Sequence, residues 1–504
     1  MTISKVFDVV VVGGGNAALA AALSAYQAGA HVAILEAAPK SERGGNSRFA
    51  GAIFRIPHNG MPAIEPLLHP SAKADAARCK LSPYTREKYE EDMMRTSKGQ
   101  CNREQMFVMF DHAYETVKWM QELGVKWQLT IGKFFDKKKI MAVEGGGVNM
   151  PPGGAMMAMH EGVGLMEDLW AAVEKTNIGV FYSTPAADLI TSGDTVLGVK
   201  SRLQDHETEF LGQVILGCGG FEASPRLRRQ YLGEGWDLCI VRGTRFNTGA
   251  MMEKALAAGA GAVGHWGGCH ASPQDLNAPK VGDLSITDKM SRYTYPYSIM
   301  VNLKGERFMD EGENHFGLTY AKTGAAIGRQ PDATAFQIFD QKTLYLLEPR
   351  YSTATPIVDD TLDGLAKKIG VNVGAFSKTM ADFNSATPAD AMERFSAFQC
   401  DGVSTGNKLA IPKTNWALPI NKGPFVAYGV TCGVTFTYGG LKTDVGARVL
   451  NNEDMPMPGL WAVGEIAGGF FAFNYPGGAG LTKGAVFGKI AGRAAATRAK
   501  ELGS

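Results

Sequence analysis

Phe7-Asp8-Val9-Val10-Val11-Val12 runs directly into Gly13-Gly14-Gly15-Asn16-Ala17-Ala18, and few patterns restrict a fold so tightly. A short, mostly apolar run reads as a buried parallel strand. Gly13, Gly15 and Ala18 occupy the G-x-G-x-x-G/A positions. They serve a tight turn, a close approach of backbone to a pyrophosphate, and close packing of the next helix. That helix is expected over about residues 17–28, ending at Gly29. A second strand, residues 31–35, delivers Glu36, which lies 21 residues beyond Gly15 (36 − 15), with Ala37 beside it. A carboxylate at that spacing meets ribose hydroxyls. The helix N-terminus, at Asn16 and Ala17, is placed for a diphosphate.

The far end of the chain carries a second glycine-rich block. It reads Gly464-Glu465-Ile466-Ala467-Gly468-Gly469, then Asn474-Tyr475-Pro476-Gly477-Gly478-Ala479-Gly480-Leu481-Thr482. A nicotinamide dehydrogenase built on residues 13–18 leaves this block unexplained. The two blocks together predict a flavin dinucleotide held between both ends of the chain, with a reaction chamber against its ring.

At 504 residues the chain has length for a large core, and two domains are expected. Lys+Arg 51 against Asp+Glu 50 gives a net charge of +1, so nothing draws the chain to nucleic acid or an acidic membrane. The start, Met1-Thr2-Ile3-Ser4-Lys5, lacks a signal peptide's apolar core. No stretch is long and apolar enough to span a bilayer, and a cytoplasmic location is expected. The seven cysteines include no C-x-x-C pair. They read as reduced thiols, and no metal or iron–sulfur site is expected.

Along the chain, residues 61–180 read as mainly helical and about 180–199 as strands. Val214-Ile215-Leu216 leads into the glycine turn Gly217-Cys218-Gly219-Gly220-Phe221. Residues 273–425 have a Tyr-rich texture with short helices, and 426–504 return to strands, glycine motifs and a closing helix. The expected fold is α/β: a doubly wound, Rossmann-like dinucleotide domain made of residues 1–272 and 426–504. An α+β cap, 273–425, is inserted in it.

The order of these motifs, with Arg43-Gly44-Gly45-Asn46-Ser47, Arg242-Gly243-Thr244-Arg245 and Gly305-Glu306-Arg307-Phe308, resembles the soluble fumarate reductase/succinate dehydrogenase flavoprotein family. Within it the chain is most similar to tricarballylate dehydrogenase-like and 3-ketosteroid Δ1-dehydrogenase-like desaturases. The resemblance spans nearly the whole chain and implies FAD. No His stands in residues 43–47, so the FAD is expected to be non-covalent. By this resemblance Arg43, Gly44, Gly45, Asn46 and Ser47 approach the diphosphate and the flavin N5 edge. Ala187 reads the adenine edge with its backbone, and Gly219 and Gly220 bring the chain close to FAD. Gly464 and Glu465 meet the ribityl hydroxyls, and Gly480, Leu481 and Thr482 stabilise N1/O2 from a helix start.

The resemblance also implies the reactive groups. The proton-transfer residue stands eight positions after Arg307, which is His315; read from composition alone, His315 is a surface histidine in a polar loop. Tyr475 matches a Tyr-Pro-Gly whose phenol polarises a ketone, with the Ala479 N–H as second donor. Fumarate reductases carry a substrate-binding Arg near Tyr475 and a His at Phe436, so the dicarboxylate clamp is missing here. Arg292, Tyr293, Tyr295, Phe436 and Tyr438 are candidates for the substrate wall, as are His270, Tyr320 and Lys322. Arg242 and Arg245 face either FAD or substrate.

The expected activity is an FAD-dependent desaturase acting α,β to the carbonyl of a small or cyclic ketone, keto acid or carboxylic acid. Three alternatives stay open: tricarballylate dehydrogenase proper, an enoate reductase fed by a separate electron donor, and a non-catalytic flavin electron-transfer subunit. The electron acceptor expected is oxygen, a quinone or an electron-transfer protein.

Overall fold

The computed structural model describes residues 3–134, 147–203, 206–397 and 399–503. Part of the stretch read as helical, residues 135–146, and the first two residues of the chain start fall outside them.

Ile3–Val12 forms the central strand of a mixed sheet, and Val9, Val10 and Val11 are wholly buried. Its parallel partners are Val32–Leu35 on one side and His206–Leu216 on the other. Gly179–Phe181 extends the parallel set beyond Val32–Leu35, and Pro456–Ala462 extends it beyond His206–Leu216. Burial on both faces explains the unbroken apolar runs that mark these strands in the sequence. An antiparallel pair, Ala186–Ser192 and Thr195–Leu203, widens the sheet against His206–Leu216.

Two helices from opposite ends of the chain lie together on this sheet, Asn16–Gln27 and Ala479–Glu501. Gly488 and Gly492 permit the contact. A Cβ at Gly492 would lie 2.1 Å from Ala21 O, and one at Gly488 2.4 Å from Ala17 O. The N-termini of the two helices are thereby brought side by side.

A second, largely antiparallel sheet is built on Phe425–Thr437, which pairs with Cys269–Asp275, Thr334–Phe339 and Ile357–Asp359. Helices Leu362–Ile369 and Val373–Ala386 cover one face of it, and Tyr320–Gly328 packs on Cys269–Asp275. We propose the division into a dinucleotide unit and an inserted cap on this basis. Cys269–Asp275 and Phe425–Thr437 run across both expected boundaries and tie the units together. Phe436 pairs with His270, and the Thr437 N–H donates to Glu465 Oε1 at 2.7 Å. Among the described residues no helix is long and apolar enough to cross a membrane.

Candidate functional site

One continuous cavity runs from the Gly13 turn to an aromatic cluster around Tyr475. At the first end, Gly13 has φ 112°, and a Cβ there would lie 2.5 Å from Gly217 O, so only glycine makes this turn. The Asn16 N–H donates to Ser47 Oγ at 3.0 Å, and Asn16 Nδ2 donates to Leu481 O at 2.9 Å. Those two bonds gather the N-terminal turn, the Gly45-Asn46-Ser47 loop and the start of the last helix at one point. Gly15, Ala17, Glu36, Ala37, Gly219, Gly464, Glu465 and Gly480 line the same cavity.

Glu36 Oε1 accepts from the Ala38 N–H at 2.8 Å, and burial pushes its carboxyl up to about 7. Asn16 Oδ1 is buried without a hydrogen-bond partner. An orphaned amide oxygen, a buried carboxyl and two helix N-termini facing a bare backbone turn are completed by ribose hydroxyls and a diphosphate. These residues fit FAD. Lys483, buried in the last helix, donates to Gly464 O at 3.0 Å and fixes the turn before Glu465. Asn46 donates to Glu222 Oε1 and to Thr435 O (2.8 Å) and accepts from the Thr244 N–H (2.8 Å). Burial, then the neighbouring Glu465, pushes the Glu222 carboxyl well above the usual carboxylate range.

Other expected contacts stand off the cavity. Ala18 packs behind Gly217 and Gly220 behind Glu465, while Gly44 is the left-handed residue that opens the Gly45–Phe49 turn. Thr482 faces Arg55, accepting its N–H at 3.1 Å. Arg43 turns away to Glu174 (2.9 Å) and stacks on Trp170. Ala187 is exposed, and Pro185 and Ala186 line the wall instead.

At the reaction end, the hydroxyls of Tyr320 and Tyr475 are 2.7 Å apart. Tyr475 stacks on Phe436 with ring centroids 6.2 Å apart, and His270 lies 4.8 Å from the Tyr320 ring and 4.9 Å from the Tyr475 ring. Tyr293 stands 4.8 Å from Tyr320 with its hydroxyl unpartnered. Burial pushes the Tyr475 phenol up to about 12 and the Tyr320 phenol well above its ordinary value. Burial, then the Arg242 charge, keeps His270 neutral.

His315 lines this end too, but in a form the sequence did not foretell. Its Nδ1 accepts from the Gly317 N–H at 3.2 Å, which places the ring proton on Nε2. Burial, then Arg55, pushes its pKa down to about 3. His315 is therefore a neutral donor rather than a ready proton acceptor.

Several other expectations need correction. The Ala479 N–H is spent on Pro476 O at 3.1 Å, inside the turn. Arg292 is wholly buried outside the cavity, paired with Asp275 at 3.0 Å and bonded to Arg350 O. Tyr295 is also wholly buried and bonds to Thr319. Tyr438 is buried in the core off the cavity, Lys322 pairs with Glu313 at the surface, and Arg245 pairs with Glu42.

Three groups at the site carry no mark in the sequence. Asp288 gathers Arg242, Lys133 (2.7 Å) and Arg350 (2.7 Å), and Arg242 and Lys133 line the cavity with it. Burial opposes the Asp288 charge, but the three cations hold its carboxyl well below the usual range. Arg55 lines the wall beside Gly154 and Gly317. No local pattern singles out Asp288, Lys133 or Arg55, because their partners lie far away in sequence.

Among curated proteins the chain is 26% identical to the NADH:fumarate oxidoreductase of Klebsiella pneumoniae (strain 342), over 98% of this chain and 48% of that one. It thus spans about half the length of that relative. It is also 26% identical to the 4-oxocyclohexanecarboxylate 2-dehydrogenase of Sinomonas cyclohexanicum, over 98% of this chain and 93% of that one. In fold it is similar to 3-ketosteroid Δ1-dehydrogenase from Sterolibacterium denitrificans, with TM-score 0.72, 21% identity, and 98% and 100% of the two chains covered. The FAD binding domain family matches residues 8–481. This chain belongs to that family and is an FAD-dependent oxidoreductase acting on carbon–carbon bonds.

Proposed function

We propose that the chain is a desaturase that introduces a C=C bond α,β to the carbonyl of a small ketone, keto acid or carboxylic acid. Bound FAD supplies the hydride acceptor. The observation that carries the reading is the 2.7 Å hydrogen bond between Tyr320 and Tyr475 on the cavity wall. The two phenols converge from separate segments of the chain, and the rings of His270 and Phe436 pack against them. On substrate entry the Tyr475 hydroxyl turns from Tyr320 to the carbonyl oxygen, where negative charge develops as the α proton leaves. Tyr320, in its ionised form, is assigned as the proton acceptor, since His315 Nδ1 is engaged by the Gly317 N–H and its ring proton sits on Nε2. The relative from Sinomonas is named for dehydrogenation of a cyclic keto acid, which supports the direction and the substrate class. The electrons leave to oxygen, a quinone or an electron-transfer protein.

The second reading is the same site run in reverse, as an enoate reductase. Both phenols stay protonated at neutral pH, which suits proton donation, and the relative from Klebsiella is named for fumarate. Anaerobic mixing separates the two. A desaturase's oxidised flavin is bleached by the saturated ketone, and a reductase's reduced flavin is reoxidised by the unsaturated one.

A further inference from the structure

Arg55 and His315 hold donors at the reaction end of the cavity that no described residue accepts. Arg55 is 3% exposed. Its Nε donates to Gly477 O at 2.8 Å and its Nη1 to Tyr84 Oη at 2.9 Å. The Tyr84 hydroxyl donates onward to Asp92 at 2.7 Å, and Asp92 lies 3.6 Å from Arg55. Asp92 also holds Arg95 at 2.9 Å, so one carboxylate serves two guanidinium groups. Arg55 Nη2 forms no hydrogen bond with any described residue, and it faces Gly154, where a Cβ would meet it at 3.6 Å. Beside it, His315 Nε2 is buried without a partner and carries the ring proton.

Nε and Nη1 are taken by Gly477 and Tyr84, and Nη2 is left for an acceptor on a ligand in the cavity that Arg55 lines. The planar fork matches a carboxylate in particular. We propose that Arg55, with His315, seats a carboxylate of the substrate, so that the enzyme acts on an anionic acid rather than a neutral ketone. This rests on the desaturase reading, in which this end of the cavity is the substrate chamber. Arg55 is bonded to Gly477, two residues beyond Tyr475. One turn therefore fixes the spacing between the carboxylate seat and the carbonyl-polarising phenol. The dicarboxylate clamp missing at Phe436 and Tyr475 is replaced by a seat on a different segment.

The test uses oxidised, FAD-loaded protein titrated with cyclohexanecarboxylate and with its neutral amide, cyclohexanecarboxamide. Binding is read from the perturbation of the flavin spectrum, without turnover. The wild type is expected to bind the acid about 100-fold more tightly than the amide. Arg55→Lys cuts that preference about tenfold and Arg55→Met removes it, with FAD content unchanged. His315→Asn weakens acid binding several-fold with little effect on the amide. Equal binding of acid and amide by the wild type overturns the proposal, as does a preference that survives the Arg55 variants. Loss of FAD from the Arg55 variants with the acid preference intact assigns the free donors to the flavin and also overturns it. If Arg55→Met does not fold, Arg55→Lys and the wild-type comparison decide. Should the acid bind through Arg55 while no ketone or keto acid bleaches the flavin, the desaturase reading falls and the seat stands. Bleaching by cyclohexanone with no acid preference gives the reverse.

Discussion

Tyr320 and Tyr475 are 155 residues apart in sequence, yet their hydroxyls meet at 2.7 Å at the end of the FAD cavity. Tyr320 opens the helix Tyr320–Gly328, which packs on the strand carrying His270, and Tyr475 closes the loop before the last helix. The pair thus ties the helix Tyr320–Gly328 to the turn that precedes the last helix.

Tyr475→Phe keeps the ring stacked on Phe436 and deletes the hydroxyl. Flavin reduction is expected to slow by roughly two to three orders of magnitude, the worth of one donor aimed at a developing oxyanion. The protein stays folded and yellow. Rapid-mixing kinetics check this, and an unchanged rate returns Tyr475 to a packing role.

With Tyr320 as proton acceptor, the rate of flavin reduction depends on its ionised fraction. Burial raises that phenol well above its ordinary value. The rate is expected to climb about tenfold per pH unit through the neutral and mildly alkaline range. A plateau above about pH 7 points instead to a histidine base.

His315 has a folded-state pKa of about 3, below its unfolded value. A depressed pKa contributes stability that is present above the unfolded value, near 6.5, and lost as pH falls towards the folded one. The wild type is expected to lose about 2 kcal/mol from this group between pH 6.5 and 5. His315→Asn flattens that part of the profile in denaturant titrations at the two pH values.

Asp288→Asn leaves Arg242, Lys133 and Arg350 facing one another without their shared carboxylate. Removing one partner from a buried charge cluster costs about 3–5 kcal/mol, and urea unfolding is expected to show a loss of that size.

The cofactor end of the cavity was legible because its signals are local. Gly13, Gly15, Glu36, Asn46, Ser47, Glu465 and Leu481 are marked by glycine spacing and by their positions after apolar strands, and all reach one cavity. Ala187 misses it by one position: Pro185 and Ala186 line the cavity and Ala187 is exposed. The reaction end was less legible. Arg292 and Tyr295 looked like substrate contacts, but each finds its partner, Asp275 or Thr319, through packing that no spacing reveals. His315 was located through its distance from Arg307, and its role depended on Gly317 and Arg55, which only the folded chain sets beside it. Asp288 and Glu222 gave no signal at all, since a buried carboxyl in sequence looks like any surface acid.

The most direct measurement is anaerobic mixing of the oxidised, FAD-loaded protein with 4-oxocyclohexanecarboxylate, cyclohexanone and succinate, tracked by flavin absorbance and product identification. The account predicts bleaching by the keto acid with formation of the α,β-unsaturated ketone, and none by succinate. Flavin that stays oxidised with every ketone and keto acid, while the reduced protein is rapidly reoxidised by fumarate, contradicts it.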